Sequence, residues 1–261
     1  MWIPLDFLLA DILILFMCTT AAKKIDDKWF LLKTRDPVPW MRWDDEIKLF
    51  DSSEDKFRKY IIQNPDPHED GYYGGINEKG VAFTSTYVHV APNQISYIRR
   101  PYVRLILDAK SAIEAVKIIE SFNPRIRGNM FVADEKDCFG VEGVPERYFI
   151  EKITGPSVKT NHYLHLKNRN LNFDTEPNFE EWSYTHQKRA EELIKTADSI
   201  EDLKNILQDR KHADKKMAIC TIKDEDECFT HSAFIFNTKD VKVYYCQGNP
   251  LENEFKEYGF V

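Results

Sequence analysis

The order of apolar and polar positions along the chain predicts β-hairpins near both ends, with helices between and after them. The segment CTTAAKK at 18–24 and the segment WFLLKT at 29–34 are strand-like runs on either side of a polar turn. A second pair of runs surrounds the turn-forming residues Asn77–Gly80. We therefore expect hairpins at both places, and we expect Asn77 and Gly80 to be turn residues rather than site residues.

Apolar residues between 112 and 119 repeat at helical spacing, which predicts a helix that begins near Leu107 and ends before Pro124. A second helix is predicted over 180–195. A third is predicted after Asp198, because Asp198 and Glu201 have the spacing of a capping box. The polar segment 51–70 is predicted to be a loop.

The remaining apolar runs predict strands that are joined mostly by tight turns. These strands are expected at 129–133, 138–142, 148–153, 158–161, 216–222, 228–236 and 241–248. A sustained β-α-β alternation is missing from the sequence, so the sheets should be antiparallel and the domain should be a layered α+β structure.

Composition limits the classes of function. The sequence has 36 basic and 43 acidic residues, a formal charge of −7, which argues against broad nucleic-acid binding. The five cysteines form no C-x-x-C pair, which favours a reducing, cytoplasmic setting. Neither a P-loop nor a zinc-protease motif occurs. His162, His165 and the acidic run 224–227 are only weak metal candidates, and we expect no metal or organic cofactor.

Residues 1–17 form an apolar leader that stops abruptly at Cys18. The leader is short for a membrane span and is interrupted by Asp6 and Asp11. It has no basic residue, so an export signal is the less favoured interpretation. We interpret 1–17 as a removable leader or a miscalled start, with one domain over 18–261 and no stable membrane association.

Cys18 is the strongest candidate for chemistry. A cysteine at a mature N-terminus carries a thiol together with an α-amine, and an amine with a pKa near 8 can accept the proton of the thiol. Removal of an initiator Met17, or cleavage before Cys18, creates such a terminus. Cys220 and Cys246, in contrast, are expected to be core thiols.

Short segments that follow one another from Cys18 onward carry a family resemblance. They are CTT at 18–20, KTRD at 33–36, GGINEKGVAF at 74–83, KTNHYL at 159–164, SYTHQKRAEEL at 183–193, AIC at 218–220 and CQGNP at 246–250. In this order they resemble the N-terminal-nucleophile hydrolases of the penicillin acyltransferase type, relatives of choloylglycine hydrolase and penicillin V acylase. The resemblance implies a four-layer αββα sandwich with two antiparallel sheets.

The resemblance also implies roles for the residues around the nucleophile. Cys18 is implied as the nucleophile, and Asp36 as the acceptor that orients its α-amine. Lys33 lies where relatives carry a basic residue, but Arg35 is beside it, and the sequence leaves open which of the two faces the thiol. Thr34 replaces an asparagine that is usual in the family.

The resemblance implies three further site residues. Tyr87 corresponds to an oxyanion-pocket position, and Asn161 to an asparagine whose side-chain amide polarises the substrate carbonyl. Arg189 corresponds to a late arginine of the family, with His186 as a less favoured substitute. Plainer alternatives stay open as well: Asp36 as a turn residue before Pro37, Asn161 as a loop cap, and Arg189 as a surface charge. Trp40, Trp43, Tyr72 and Tyr73 suit either an acyl pocket or the core.

The implied activity is cleavage or transfer at a linear, non-peptide amide bond of a small acyl-amide, through an acyl-Cys18 thioester. Two other classes stay open. One is an inactive member of the fold that binds a ligand, and the other is a surface protein anchored by a lipid on Cys18. The acyl group, the acceptor and the formation of a homo-oligomer are left open by the sequence.

Overall fold

The structure is a computed structural model that describes residues 18–37, 45–51, 53–65, 72–88, 104–121, 128–144, 147–166, 177–215, 217–222 and 229–260. The strands of this described part are, in chain order, β1 Thr20–Ile25, β2 Lys28–Arg35, β3 Glu46–Phe50, β4 Lys59–Gln63, β5 Tyr72–Asn77, β6 Ala82–Thr86, β7 Gly128–Ala133, β8 Cys138–Val144, β9 Arg147–Lys152, β10 Ser157–Lys159, β11 Ser232–Asn237, β12 Lys242–Gln247 and β13 Lys256–Gly259. The helices are α1 Ala112–Ser121, α2 Pro177–Thr196 and α3 Ile200–Leu207, followed by a 3₁₀ turn at Ala213–Lys215.

The strands form two antiparallel sheets, as predicted. The first sheet has the order β10-β1-β2-β11-β12-β13, and the second runs in sequence order from β3 to β9. Leu31 of β2 packs between the sheets, against Ile76 and Phe131 of the second sheet. Its neighbour Leu32 points the other way, into the core under α2 and α3. This alternation, with a period of two residues, decides which side chains of β2 face the second sheet.

Helices cover the outer faces of both sheets. Residues of α2 and α3, including Ala190 and Leu203, pack on the first sheet. Ala112 and Ile119 of α1 pack on the second sheet, against Phe83 of β6. The layers are therefore helix, sheet, sheet and helix, which confirms the αββα expectation. Within the described residues, no helix is long and apolar enough to cross a membrane.

Three local predictions were wrong. Strand β4 lies within the segment predicted to be a loop. The strand can be buried although it contains Lys59, because the carboxylates of Asp55 and Asp108 neutralise the charge of this lysine. The N-cap of α3 is Ser199, which accepts from the backbone N–H of Asp202 at 3.1 Å, instead of the predicted pair Asp198 and Glu201.

The third wrong prediction concerns the segment 216–222, which was expected to be a strand. Its described residues, 217–222, have irregular structure. The N–H of Cys220 donates to the carbonyl of Asp209 at 3.0 Å, and the N–H of Thr221 donates to the hydroxyl of Thr230 at 3.0 Å. The apolar residues of this segment are therefore buried without a ladder of strand hydrogen bonds.

Candidate active site

Cys18 lies at the point where several strand ends meet. Thr20, the first residue of β1, is paired with Lys33 of β2 on one side and with Lys159 of β10 on the other. Continued by two residues, this register places Cys18 level with Arg35, the last residue of β2, and just beyond Lys159, the last residue of β10. Its side chain is buried, with 3% exposed. Below it, the hydroxyl of Thr20 donates to that of Thr84 in the second sheet at 2.6 Å, which links the two sheets next to the site.

The backbone around Cys18 is fixed on both sides. The backbone nitrogen of Cys18 donates to Oδ1 of Asn161 at 2.8 Å. The next residue, Thr19, donates through its N–H to Oγ1 of Thr34 at 3.3 Å and accepts from the N–H of Thr34 at 3.0 Å. Thr34, which replaces the usual asparagine of the resemblance, thus supplies the polar contact at that position.

Burial and nearby charges act in opposite directions on the thiol. Burial raises the pKa of Cys18, and the negative charge of Asp36 adds to this rise. The positive charge of Lys33 opposes the rise more strongly than that of Arg35 does. The backbone N–H of Asp36 also donates to the sulfur and favours the thiolate. The site therefore contains two built-in stabilisers of a thiolate, one cation and one backbone dipole.

Lys33 and Arg35 lie on the same face of β2, directed toward the second sheet, but they have different partners. Arg35 makes an ion pair with Asp45 at 3.1 Å and donates to the hydroxyl of Tyr73 at 2.6 Å. Lys33 donates to the carbonyl of Ser85, and in the described part of the chain it has no carboxylate within ion-pair distance. The charge of Arg35 is thus compensated by Asp45. Burial lowers the pKa of Lys33, and of the two basic residues its positive charge acts more strongly on the thiol.

Asp36 is fully buried, and burial raises the pKa of its carboxyl to about 7. The hydroxyls of Thr34 and Thr230 and the positive charge of Lys33 act against this rise. Oδ2 accepts from Thr34 at 3.3 Å, while Oδ1 has no hydrogen-bond partner among the described residues. The carboxyl can therefore accept one further donor, and an α-ammonium at Cys18 is a donor of the right charge.

Asn161 and Tyr87 are in contact in the structure. The side-chain amide of Asn161 donates to the backbone carbonyl of Tyr87 at 2.6 Å, so that this amide bridges Tyr87 and Cys18. The backbone N–H of Asn161 donates to the hydroxyl of Ser183 on α2 at 3.0 Å. The segment after Thr86 is packed against Gly128, which begins β7.

Arg189 and His186, both on α2, occupy different surroundings. Arg189 donates to both carboxylate oxygens of Asp209, at 3.0 and 2.6 Å, and to Glu192. His186 is buried against Trp182, and its Nδ1 lies 3.4 Å from the hydroxyl of Thr19. Burial lowers the pKa of His186 to about 3, so the ring is neutral. The structure thus brings His186, rather than Arg189, into contact with the residue next to Cys18.

Several expectations concern residues at the edge of the site or outside the described part. Trp40, Trp43, the leader 1–17 and the acidic run 224–227 lie outside the described residues. Tyr73 contacts Arg35 and lies under Lys33, whereas Tyr72 packs edge-on against Phe50. Cys220 and Cys246 are buried free thiols, as expected. No group of three potential metal ligands occurs among the described residues.

Three residues that support the site were not singled out individually from the sequence. Ser183 binds the backbone of Asn161, Thr230 binds the carboxyl of Asp36, and Glu142 binds the loop that follows Asn161. Ser183 does begin the segment SYTHQKRAEEL that was quoted for the resemblance. Thr230 and Glu142 carry no local signal, because their partners are distant in sequence.

Comparison with known proteins was made at the levels of family and fold. Residues 24–252 match the family described as acyl-coenzyme A:6-aminopenicillanic acid acyl-transferase. A search of the curated proteins gives no match.

Solved structures share the architecture at low sequence identity. A mutant of conjugated bile acid hydrolase from Clostridium perfringens is 12% identical, with a TM-score of 0.55 over 94% of this chain and 97% of that one. The N-acylethanolamine-hydrolyzing acid amidase ortholog of Caenorhabditis elegans is 10% identical, with a TM-score of 0.53 over 84% of this chain and 92% of that one. These two likenesses establish the fold.

Proposed function

Because the chain belongs to the acyl-coenzyme A:6-aminopenicillanic acid acyl-transferase family, we propose that it is an N-terminal-nucleophile enzyme that cleaves or transfers the acyl group of a linear amide. Cys18 is the nucleophile, and its α-amine is the base. The observation that carries this proposal is the buried Cys18, whose backbone nitrogen is bound by Asn161 at 2.8 Å. The charge of Lys33 and the N–H of Asp36 act on the same thiol.

The first half of the reaction forms the thioester. The α-amine takes the thiol proton, and the resulting thiolate, stabilised by Lys33, attacks the carbonyl carbon of the amide. A carbon–sulfur bond forms, and the carbonyl oxygen becomes an oxyanion that needs neutral donors already in place. The amide of Asn161 and the Tyr87 segment lie next to Cys18 and suit this role. The α-ammonium returns its proton to the leaving amine as the carbon–nitrogen bond breaks.

The second half of the reaction releases the acyl group. Water, or an acceptor amine in a transferase, loses a proton to the α-amine and attacks the thioester carbon. The carbon–sulfur bond then breaks, and the thiolate of Cys18 recovers the proton. Asp36 holds the amine during both halves in this scheme, and the lack of a hydrogen-bond partner for its Oδ1 among the described residues supports that role.

Arg189 fits this scheme as an indirect support. Its guanidinium holds Asp209, whose backbone carbonyl accepts from the N–H of Cys220. The neighbouring Thr221 binds Thr230, which in turn acts on Asp36. In this proposal Arg189 stabilises the segment behind Asp36 and does not touch the substrate.

The mechanism requires a free amine on Cys18, and we therefore propose that residues 1–17 are absent from the active enzyme. The four described cysteines are free thiols, which supports a reducing, cytoplasmic location. Intact mass and N-terminal sequencing of the active protein should place Cys18 first. Activity in protein that retains the full leader would disprove the role of the amine.

The decisive experiment is detection of the acyl enzyme. Candidate probes are penicillin V, an N-acylethanolamine and a conjugated bile acid, each quenched with acid and analysed by peptide mass. We expect an acyl thioester on Cys18, its loss in Cys18→Ser, and its retention in the control Cys246→Ser, which changes another buried thiol. Unchanged turnover in Cys18→Ser would exclude Cys18 as the nucleophile.

A further inference from the structure

Glu142 of β8 is a buried carboxylate that binds the chain on both sides of Asn161. Its Oε1 accepts from Nζ of Lys159 at 3.1 Å and from the N–H of Leu164 at 3.0 Å. Its Oε2 accepts from the N–H groups of His165 and Leu166 at 2.9 and 3.0 Å. The carboxylate therefore closes the segment 159–166 into a loop, with Asn161 inside it.

This carboxylate is held in its charged form. Burial raises the pKa of Glu142, but Lys159 and the N–H groups of Leu166 and His165 outweigh burial, so that the pKa is lowered overall. A buried carboxylate is stable only when its oxygens are satisfied in this way, and the loss of one partner of such a pair is costly. Glu142 and the loop amides thus require each other.

Side chains, and not a ladder of backbone hydrogen bonds, fix the shape of the loop. Residues 160–166 belong to neither a helix nor a strand, so side chains must satisfy their backbone groups. The hydroxyl of Thr86 and the amide of Asn129 bind the carbonyl of Thr160 at 2.5 and 2.8 Å. Asn129 also binds the carbonyl of His162 at 2.9 Å, and Ser183 binds the N–H of Asn161 at 3.0 Å. Glu142 alone among the described side chains binds the three consecutive N–H groups of residues 164–166.

We infer that Glu142 is a positioning residue of the active site, which holds the amide of Asn161 in the orientation that contacts Cys18 and the reacting carbonyl. The inference rests on the proposed function, because it assumes that Asn161 stabilises the oxyanion. Glu142 does not touch the substrate in this scheme. It ties the loop that carries Asn161 to β8, which is paired with β7 and β9 in the second sheet.

The test compares Glu142→Gln with Glu151→Gln. Both glutamates bind Lys159, but Glu151 does so at 3.4 Å and is partly exposed. Glu151 lies 3.4 Å from Nε2 of the His165 ring and binds none of the backbone N–H groups of the loop. Misplacement of a catalytic group by 1 Å can cost about 100-fold in rate. We expect Glu142→Gln to lower kcat by about tenfold or more while KM changes by less than about threefold, and Glu151→Gln to resemble wild type.

A second variant distinguishes a loss of positioning from a loss of folding. Glu142→Gln leaves Lys159 with only the more distant and partly exposed carboxylate of Glu151. Glu142→Gln with Lys159→Met removes both charges of the buried pair and still leaves the loop N–H groups without a carboxylate. The double variant should show the same fall in kcat, with circular dichroism like that of wild type. If neither variant folds, Glu142 is a general structural residue and the positioning role is overturned.

The readout separates this inference from the proposed function. Acylation of Cys18 in wild type by an acyl-amide probe such as penicillin V establishes the function, and the rate of thioester formation is then measured in each variant. Wild type that forms no thioester with any probe contradicts the proposed function. Wild type that forms the thioester, together with Glu142→Gln that forms it at the wild-type rate, contradicts only the role of Glu142.

Discussion

The backbone nitrogen of Cys18 and the side-chain oxygen of Asn161 lie 2.8 Å apart, although 143 residues separate them in sequence. The same amide group donates to the carbonyl of Tyr87 at 2.6 Å. Asn161 therefore holds the nitrogen that is the α-amine in the proposed enzyme, and it also lies next to the proposed oxyanion position. One side chain thus connects the base and the electrostatic part of the proposed site.

Replacement of Asn161 by alanine tests that double role. The loss of one oxyanion donor costs about 100-fold to 1,000-fold in kcat, so we expect Asn161→Ala to lower kcat by that order and to raise KM much less. Steady-state kinetics on any accepted amide measures the split. The exposed Asn205→Ala on α3 is the control and should change neither value. A rise in KM with unchanged kcat would make Asn161 a substrate-binding group only.

Replacement of the two basic residues separates their effects on the thiol. Lys33 acts on the pKa of Cys18 more strongly than Arg35 does, and the charge of Arg35 is paired with Asp45. We expect Lys33→Met to move the pH profile of Cys18 alkylation by iodoacetamide upward, because the thiolate loses its nearest positive charge. Arg35→Met should move this profile less but should lower stability more, because it leaves Asp45 buried without its cation. A larger shift in Arg35→Met than in Lys33→Met would reverse the assignment.

Local sequence signals predicted the hairpins well. The hairpin of β1 and β2, and that of β5 and β6 around Asn77, follow from turn residues between apolar runs. Asn77 is indeed a structural residue, since its side chain binds the N–H of Val81 and the carbonyls of Leu107 and Ala109. Strand β4 was missed because Lys59 makes its sequence look like that of a polar loop. The buried charge of Lys59 is compensated only by tertiary contacts with Asp55 and Asp108.

The sequence predicted which residues belong to the candidate site but not how they are paired with one another. The chemistry of an N-terminal cysteine singled out Cys18, and the resemblance singled out Asp36, Tyr87 and Asn161, which the structure places together. The division of work between Lys33 and Arg35 depends on Asp45, which belongs to a different part of the chain. Sequence spacing contains no information on such a pairing, so this part of the site required the three-dimensional structure.

The pH dependence of stability should reveal the buried carboxyl of Asp36. Its pKa is about 7 in the folded chain and about 4 in the unfolded chain, so the stability from its protonation is complete below about pH 4. This stability is lost as the pH rises to about 7. The comparison is made in a Cys18→Ala background, which removes the reactive thiol. As the pH rises from 4 to 8 the parent loses this stability and Asp36→Asn does not, so the free energy of unfolding of Asp36→Asn should rise relative to that of its parent. Urea unfolding at both pH values measures the difference, and an equal difference at both would contradict the buried pKa.

His186 should contribute with the opposite sign. Its pKa is about 3 in the folded chain, against about 6.5 when unfolded, so its contribution is complete above about pH 6.5 and is lost as the pH falls to about 3. We expect His186→Gln, in the same background, to lose less stability on acidification than its parent. His165→Gln is the control, because His165 is a partly exposed histidine. If both variants behave alike on acidification, the buried neutral ring is not the cause.

Gly128 controls the position of the segment that carries Tyr87. Its φ is +106°, and an added Cβ would lie 2.1 Å from the carbonyl oxygen of Thr86, which is backbone and cannot move aside. Gly128→Ala should therefore destabilise the fold by roughly 2 kcal/mol or more, since the strained backbone conformation alone costs about 1–3 kcal/mol. Gly155→Ala is the matched control, because nothing lies within 4 Å of its added Cβ. Urea unfolding should show a large loss for Gly128→Ala and little change for Gly155→Ala. Where Gly128→Ala still folds, kcat should also fall, because the carbonyl of Tyr87 that orients Asn161 is displaced, and unchanged kcat would separate this segment from the site.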